Sequence, residues 1–325
     1  SDTAFCGSFD GNGHIIENLY IGTGSSAGLF GYNAGEIKNL TVSGKVCSAD
    51  GLAGIAGYNS GTISNVTAEV ILSGGNHIAG IAAYNEKTGM IADCFSSGSI
   101  EGGQYVAGIT SFNKGTVKGC GNNAAITAAS TFVAGVAADN SGTVEGCANS
   151  GQIIGKAAVQ YAYVGGVVGR NDGTSKKLYN SGNVVSLGSC TGGCVAINTS
   201  GSAAQGLYNV GDVCGSYIDT EEGEDFRVGG AIGEVVNGVS DAYTLKSLTI
   251  QCGGTLVTAE EIAGKAGELA GMLPAKSMID GTVSLGNLQV GDMVKAQYAG
   301  TARYPVFVWY VSDGVDETVL SVSEA

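Results

Sequence analysis

The chain has 325 residues, including 56 Gly and only 2 Pro, with 44% hydrophobic and 14% charged residues. Its formal net charge of −14 argues against nucleic acid and anionic membrane surfaces as partners, because both require clustered Lys and Arg. No stretch approaches the ~18 uninterrupted apolar residues of a membrane-crossing helix, so no membrane insertion is expected of this chain, and the opening SDTAFCGSF has no basic-then-apolar signal order.

Abundant glycine directs the reading to internal repeats. In chain order, Gly7, Gly28, Gly54, Gly80, Gly108, Gly135, Gly166, Gly193 and Gly230 recur at intervals of 21, 26, 26, 28, 27, 31, 27 and 37 residues. Five residues after each of the first eight stands an asparagine: Asn12, Asn33, Asn59, Asn85, Asn113, Asn140, Asn171 and Asn198. The ninth unit has Val235 there. An apolar column follows at Leu19, Leu40, Val66, Cys94, Cys120, Cys147, Leu178, Leu207 and Ala242. A second comes at Val46, Leu72, Ile100, Ile126, Ile153, Val184, Val213 and Leu248.

A further apolar pair brackets the glycine, as in Leu52 and Ile55, Ile78 and Ile81, or Val106 and Ile109. Positions three apart point to opposite faces of a flat strand. Both enter one core only if the chain bends between them, which glycine preceded by a small residue permits. Each unit of roughly 27 residues therefore supplies three short segments rich in Val, Ile and Thr, which suit strands, and none has helical periodicity. This pattern predicts an all-β chain, a parallel, right-handed β-helix solenoid of about nine coils. Coils ~4.8 Å apart make a rod on the order of 40 Å long.

These residues resemble the GLUG-motif family, whose repeat is named for a Gly-Leu-aromatic-Gly core. The core reads AGLFGYNAGEIKNLTVSG at 27–44, and FCGSFDGNGHIIENLYI at 5–21 is similar to the first rung that precedes such repeats. The resemblance spans about residues 5–250. It implies a bacterial protein that is secreted or attached to the cell surface, as in non-catalytic regions of some immunoglobulin A peptidases and haemagglutinin-like adhesins. It implies no activity, because the shared motif is structural. The chain departs from the pattern after Gly193, where Cys194 and Val195 replace the Leu-aromatic pair.

The expected organisation is repeats over 1–250, a capping or linker segment over 251–280, and a β segment over 281–325. TAEEIAGKAGELAGML at 258–273 has helical spacing at Ile262, Leu269 and Leu273. Thr258 with Glu261 forms a capping box, and Pro274 stops the run. The alternation in PVFVWYVSDG at 305–314 is strand-like and resembles part of a bacterial immunoglobulin-like domain, with Trp309 in its core position. A helix-plus-strands cap on the solenoid is the rival reading.

Each candidate site also has a structural reading. Cys94, Cys120 and Cys147 share a column with Leu and Val, so they read as small core residues. Cys190 and Cys194 have C-x₃-C spacing but no nearby histidine to complete a zinc site. Asparagines stacked at Asn33, Asn59, Asn85, Asn113, Asn140, Asn171 and Asn198, with a partial second series at Asn122, Asn149, Asn180 and Asn209, read as amide ladders. HIIEN at 14–18 is not a zinc-peptidase motif, and DGNGHI at 10–15 is not a complete calcium loop. DTEEGED at 219–225 is a dense acidic cluster that reads as a solvated loop. No catalytic, metal or cofactor site is expected. The functional hint is aromatic: one column at Tyr32, Tyr58, Tyr84 and Phe112, another at Tyr179, Tyr208 and Tyr243. Exposed, such rings form a platform for sugars or a protein partner; otherwise they stabilise the wall. The leading reading is a non-catalytic extracellular region of a bacterial surface protein, a rigid spacer and adhesin for a host glycan or surface protein. A polysaccharide lyase or hydrolase is the alternative.

Overall fold

The computed structural model describes residues 4–22, 27–48, 50–216, 218–220, 223–225, 227–236, 239–245, 255–257, 282–284, 297–299, 306–312 and 317–324. The helix expected over 258–273 lies outside these residues. The chain divides into two compact units, Ser1–Leu273 and Pro274–Ala325.

The first unit is a parallel β-solenoid. Its first full coil runs through Phe30–Asn33, Glu36–Ser48 and Leu52–Ala53, and its second through Ala56–Asn59, Thr62–Gly74 and Ile78–Ala79. Equivalent strands stack into three parallel sheets: an asparagine-bearing sheet of eight strands, a short-stranded sheet of seven and a broad sheet of sixteen. Seven coils contribute to all three sheets. Ahead of them Ser8–Ile21 joins only the broad sheet, and behind them Ile232–Val235 and Val239–Leu245 begin a further turn. Among the described residues the expected nine coils are thus seven complete ones, because the described strands of the terminal units each make only part of a turn.

The first unit is also out of step with its glycine. Phe5 bridges Asn33, Ser8 pairs with Glu36, and Leu19 lies opposite Gly44. Gly7 is therefore level with Gly35, not Gly28. Asn12 is no part of the ladder: it sits at φ 49 in a surface irregularity of Ser8–Ile21. From the second unit onward the register follows the sequence columns, as in Leu40 with Val66, Cys147 with Leu178 and Leu178 with Leu207.

The bend at the glycine is a corner between two sheets. Leu52 and Ile55 are both 0% exposed, yet Leu52–Ala53 belongs to the short sheet and Ala56–Asn59 to the asparagine sheet. The corner glycines do not need a left-handed backbone; none has positive φ. They need space. A Cβ on Gly54 would lie 2.6 Å from the Gly80 carbonyl oxygen of the next coil, and one on Gly108 would strike Asn122 Oδ1 and the Gly135 carbonyl. One series of left-handed residues runs along a column of the broad sheet: Asn39, Asn65, Asp93, Gly119, Gly146, Lys177, Gly206 and Asp241, with φ from 52 to 68; His77 and Tyr105, three residues before corner glycines, are left-handed as well, at φ 57 and 59.

Aliphatic side chains from all three sheets fill the interior, and Cys94, Cys120, Cys147 and Cys194 lie among them. Among its described residues the second unit has two antiparallel pairs, Thr282–Ser284 with Gln297–Ala299 and Val306–Ser312 with Glu317–Glu324. Trp309 is paired with Ser321.

Candidate functional site

The asparagine column is buried and continuous. Each Nδ2 donates to Oδ1 of the next coil, from Asn33 to Asn59, Asn85, Asn113, Asn140, Asn171 and finally Asn198, over 2.6–2.8 Å. The same amides also reach backbone carbonyls, as from Asn85 to Gly89 O and Thr116 O. Asn122, Asn149, Asn180 and Asn209 form a second chain with 2.8 Å links, passing on to Thr244 Oγ1 at 3.4 Å. The amides from Asn33 to Asn171 and from Asn122 to Asn209 are spent within the wall. A buried polar group without a partner would be costly, so these residues hold coils together and present nothing to a ligand.

The glycine corner makes the outside of the wall concave. Residues three before the glycine (His77, Tyr105, Phe132, Tyr163) and four after it (Tyr58, Tyr84, Phe112, Asp139, Arg170) face each other across it. Their rings form one continuous pile. Tyr32 meets Tyr58 at 5.9 Å, Tyr58 meets Tyr84 at 4.5 Å, and His77 lies between Tyr84 and Tyr105 at 4.7 and 4.6 Å. Tyr105 stacks on Phe132 at 4.4 Å, and Phe132 packs on Tyr163 at 5.2 Å. Small residues such as Ala107 and Ala138 lie beneath. Most ring faces in this pile are covered by neighbouring rings, so edges and hydroxyls face the groove. Burial pushes the Tyr84 and Tyr163 phenols up to about 12. It also lowers the His77 pKa, and His77 Nδ1 is buried without a hydrogen bond.

Beyond Phe132 the groove becomes charged. Asp139, 1% exposed, accepts from Arg170 Nε at 3.2 Å and Nη2 at 2.6 Å. Arg170 also pairs with Asp172 at 3.2 Å and lies over the Phe132 ring. Burial pushes the Asp139 carboxyl up, against the pull of Arg170. Further on, Arg227 pairs with Glu234 at 2.6 Å and covers Tyr161, a residue 48% exposed at φ 63.

The other tyrosine column lies on the broad sheet. Tyr179, Tyr208 and Tyr243 are in register, half-buried, and the Tyr208 and Tyr243 rings are parallel within 4° at 5.8 Å. Lys176 and Lys177 stand exposed beside Tyr179. The two tyrosine columns are thus brought to different faces and do not form one platform.

The cysteine column is buried, and burial pushes the Cys94 and Cys147 thiols well up and Cys194 up to about 12. Among the described residues no cluster of His, Cys, Asp or Glu has the arrangement of a metal site. The acidic stretch at 219–225 includes an antiparallel pair, Ile218–Thr220 with Gly223–Asp225. The histidine-aromatic column of the short sheet was missed in sequence. Its signal was a ring three residues before each of four successive glycines, at His77, Tyr105, Phe132 and Tyr163.

No protein-family model matches the chain, and no curated protein matches it. Among solved structures it is similar to a crystal structure from Bacteroides ovatus, described as that of a candidate immunoglobulin A1 protease. The identity is 16% and the TM-score 0.37, over 80% of this chain and 71% of that one. That likeness is too distant to transfer an activity.

Proposed function

We propose that the chain is a non-catalytic, extracellular region of a bacterial cell-surface protein of the GLUG-motif type, serving as a rigid spacer and as an adhesive surface for a host glycan or surface protein. The observation that carries this reading is the unbroken register of seven coils, fastened by the chain of amides from Asn33 to Asn198. Bending such a stack requires parting backbone and amide bonds of one coil interface together. Seven coils at ~4.8 Å span about 34 Å. The half-buried Tyr179, Tyr208 and Tyr243 supply aromatic surface outside the ring pile, and the immunoglobulin-like reading of 281–325 belongs to the same proposal.

Cleavage of a polysaccharide would need two carboxylates about 5–10 Å apart with distinct roles. Asp139 and Asp172 lie near each other, but both are ion-pair partners of Arg170, which suits anchoring rather than proton transfer. The test is binding of the purified chain to a glycan array and to mucins, with Tyr179→Ala in parallel. Binding weakened by that substitution supports adhesion. No binding to any of them reduces the function to a spacer, and turnover of an acidic polysaccharide overturns the non-catalytic reading.

A further inference from the structure

The left-handed column of the broad sheet follows a rule with one exception. Seven of its eight members are Asn, Asp or Gly, the residues that adopt this backbone at least cost. The eighth is Lys177, at φ 52. A residue kept in a disfavoured conformation amid tolerant alternatives directs attention to function.

Its in-register neighbours are glycines on both sides. In register, Lys177 stands between Gly146 and Gly206. A Cβ on Gly146 would meet nothing nearer than Gly119 N at 4.0 Å, and one on Gly206 would reach Lys177 N and Tyr208 Oη at 3.4 Å. The Tyr208 hydroxyl therefore covers the buried backbone of Gly206 beside Lys177. Tyr179 is two residues along the same strand, Thr174–Asn180, and in register with Tyr208.

The charge here runs against that of the molecule. The chain carries −14, yet Lys176 and Lys177 are adjacent and exposed. Among the described residues neither makes an ion pair, whereas Lys38, Lys114, Arg170 and Arg227 do. Two acids are near: Glu145 is in register with Lys176, and Asp241, beyond Gly206, accepts from Gln205 Nε2 at 3.2 Å.

We propose that Lys176, Lys177, Tyr179 and Tyr208 form a binding site for an anionic saccharide, a sugar bearing a carboxylate or sulfate. The sugar packs against the tyrosines, its anion meets the ammonium groups, and the open space over Gly146 admits it closely. This inference rests on the adhesive reading above and names its ligand chemistry.

The test uses the whole chain against three immobilised probes: heparin oligosaccharides, polygalacturonate and dextran, the last neutral. Binding to one or both anionic probes, falling as salt rises, and none to dextran is expected. Lys177→Asn keeps a residue suited to the left-handed backbone. It should weaken anionic binding about tenfold, while the urea midpoint stays level or rises. Tyr208→Leu should weaken binding without altering the circular dichroism spectrum. A purely structural Lys177 would leave binding unchanged. Equal binding by Lys177→Asn and parent overturns this site alone, as does binding confined to dextran. No binding to these probes, to the glycan array or to mucins overturns the adhesive reading as well.

Discussion

Replacing Asn113 by Ala cuts the asparagine ladder at its middle. Asn113 is 0% exposed; its Nδ2 donates to Asn140 Oδ1 at 2.7 Å, Thr143 O at 3.2 Å and Gly115 O at 3.3 Å. Its Oδ1 accepts from Asn85 Nδ2 at 2.8 Å. The substitution leaves Asn85 Nδ2 with only long contacts to Gly89 O at 3.3 Å and Thr116 O at 3.4 Å. It leaves Asn140 Oδ1 with only the Gly142 N–H at 3.2 Å. Each poorly satisfied buried group costs about 1–3 kcal/mol, so the cut costs about 2–6 kcal/mol. Asn198→Ala at the ladder's end disturbs one ladder neighbour, Asn171, because Val235 stands opposite on the next coil; it should cost about half as much. Urea unfolding ranks the two variants. Hydrogen exchange locates the damage, because a repeat stack loses stability at individual interfaces. Exchange should accelerate on the coils carrying Asn85, Asn113 and Asn140 and spare distant ones. Equal costs for the two variants, or a cost at Asn113 below about 1 kcal/mol, would refute the claim that the ladder holds the coils together.

Gly108→Ala places a Cβ against Asn122 Oδ1 and the Gly135 carbonyl, and overpacking of this kind costs about 3 kcal/mol; thermal unfolding with an unchanged midpoint would contradict the close-approach account of the corner. Tyr84 and Tyr163 keep their protons up to about 12 when folded against 10.0 for the free phenol. The unfolded chain therefore releases these protons first, and stability falls as pH rises from 10 towards 12. Tyr84→Phe should flatten that fall, measured by urea midpoints across the alkaline range. A thiol reagent on the folded chain should label exposed Cys6 and Cys214 ahead of buried Cys94, Cys120, Cys147, Cys190 and Cys194, which should react only on unfolding; rapid native labelling of Cys120 would contradict the core assignment.

The repeat was legible because a solenoid stacks like on like. Each in-register column of the structure is a column of the sequence, so Asn33 to Asn198 and the Leu/Cys series could be read by spacing alone. Legibility failed where a neighbouring coil is incomplete. Ser8–Ile21 has a partner on one side only within its sheet, and its irregularities between Asp10 and His14 and between Ile16 and Leu19 displaced Asn12 from the alignment. The tyrosines were visible as columns, but their exposure was not.

By itself, the sequence determined the all-β class, the parallel stacking, the amide ladders and the burial of the central cysteines, since all of these follow from periodic identity along the chain. Only the tertiary structure decided which way the aromatic columns face. The corner at the glycine turns His77, Tyr105 and Phe132 onto Tyr84, Phe112 and Arg170, and so uses most ring faces that a ligand would need. It also decided that Lys177 takes a left-handed backbone between two glycines. Both depend on backbone angles and on contacts between coils, and residue spacing encodes neither.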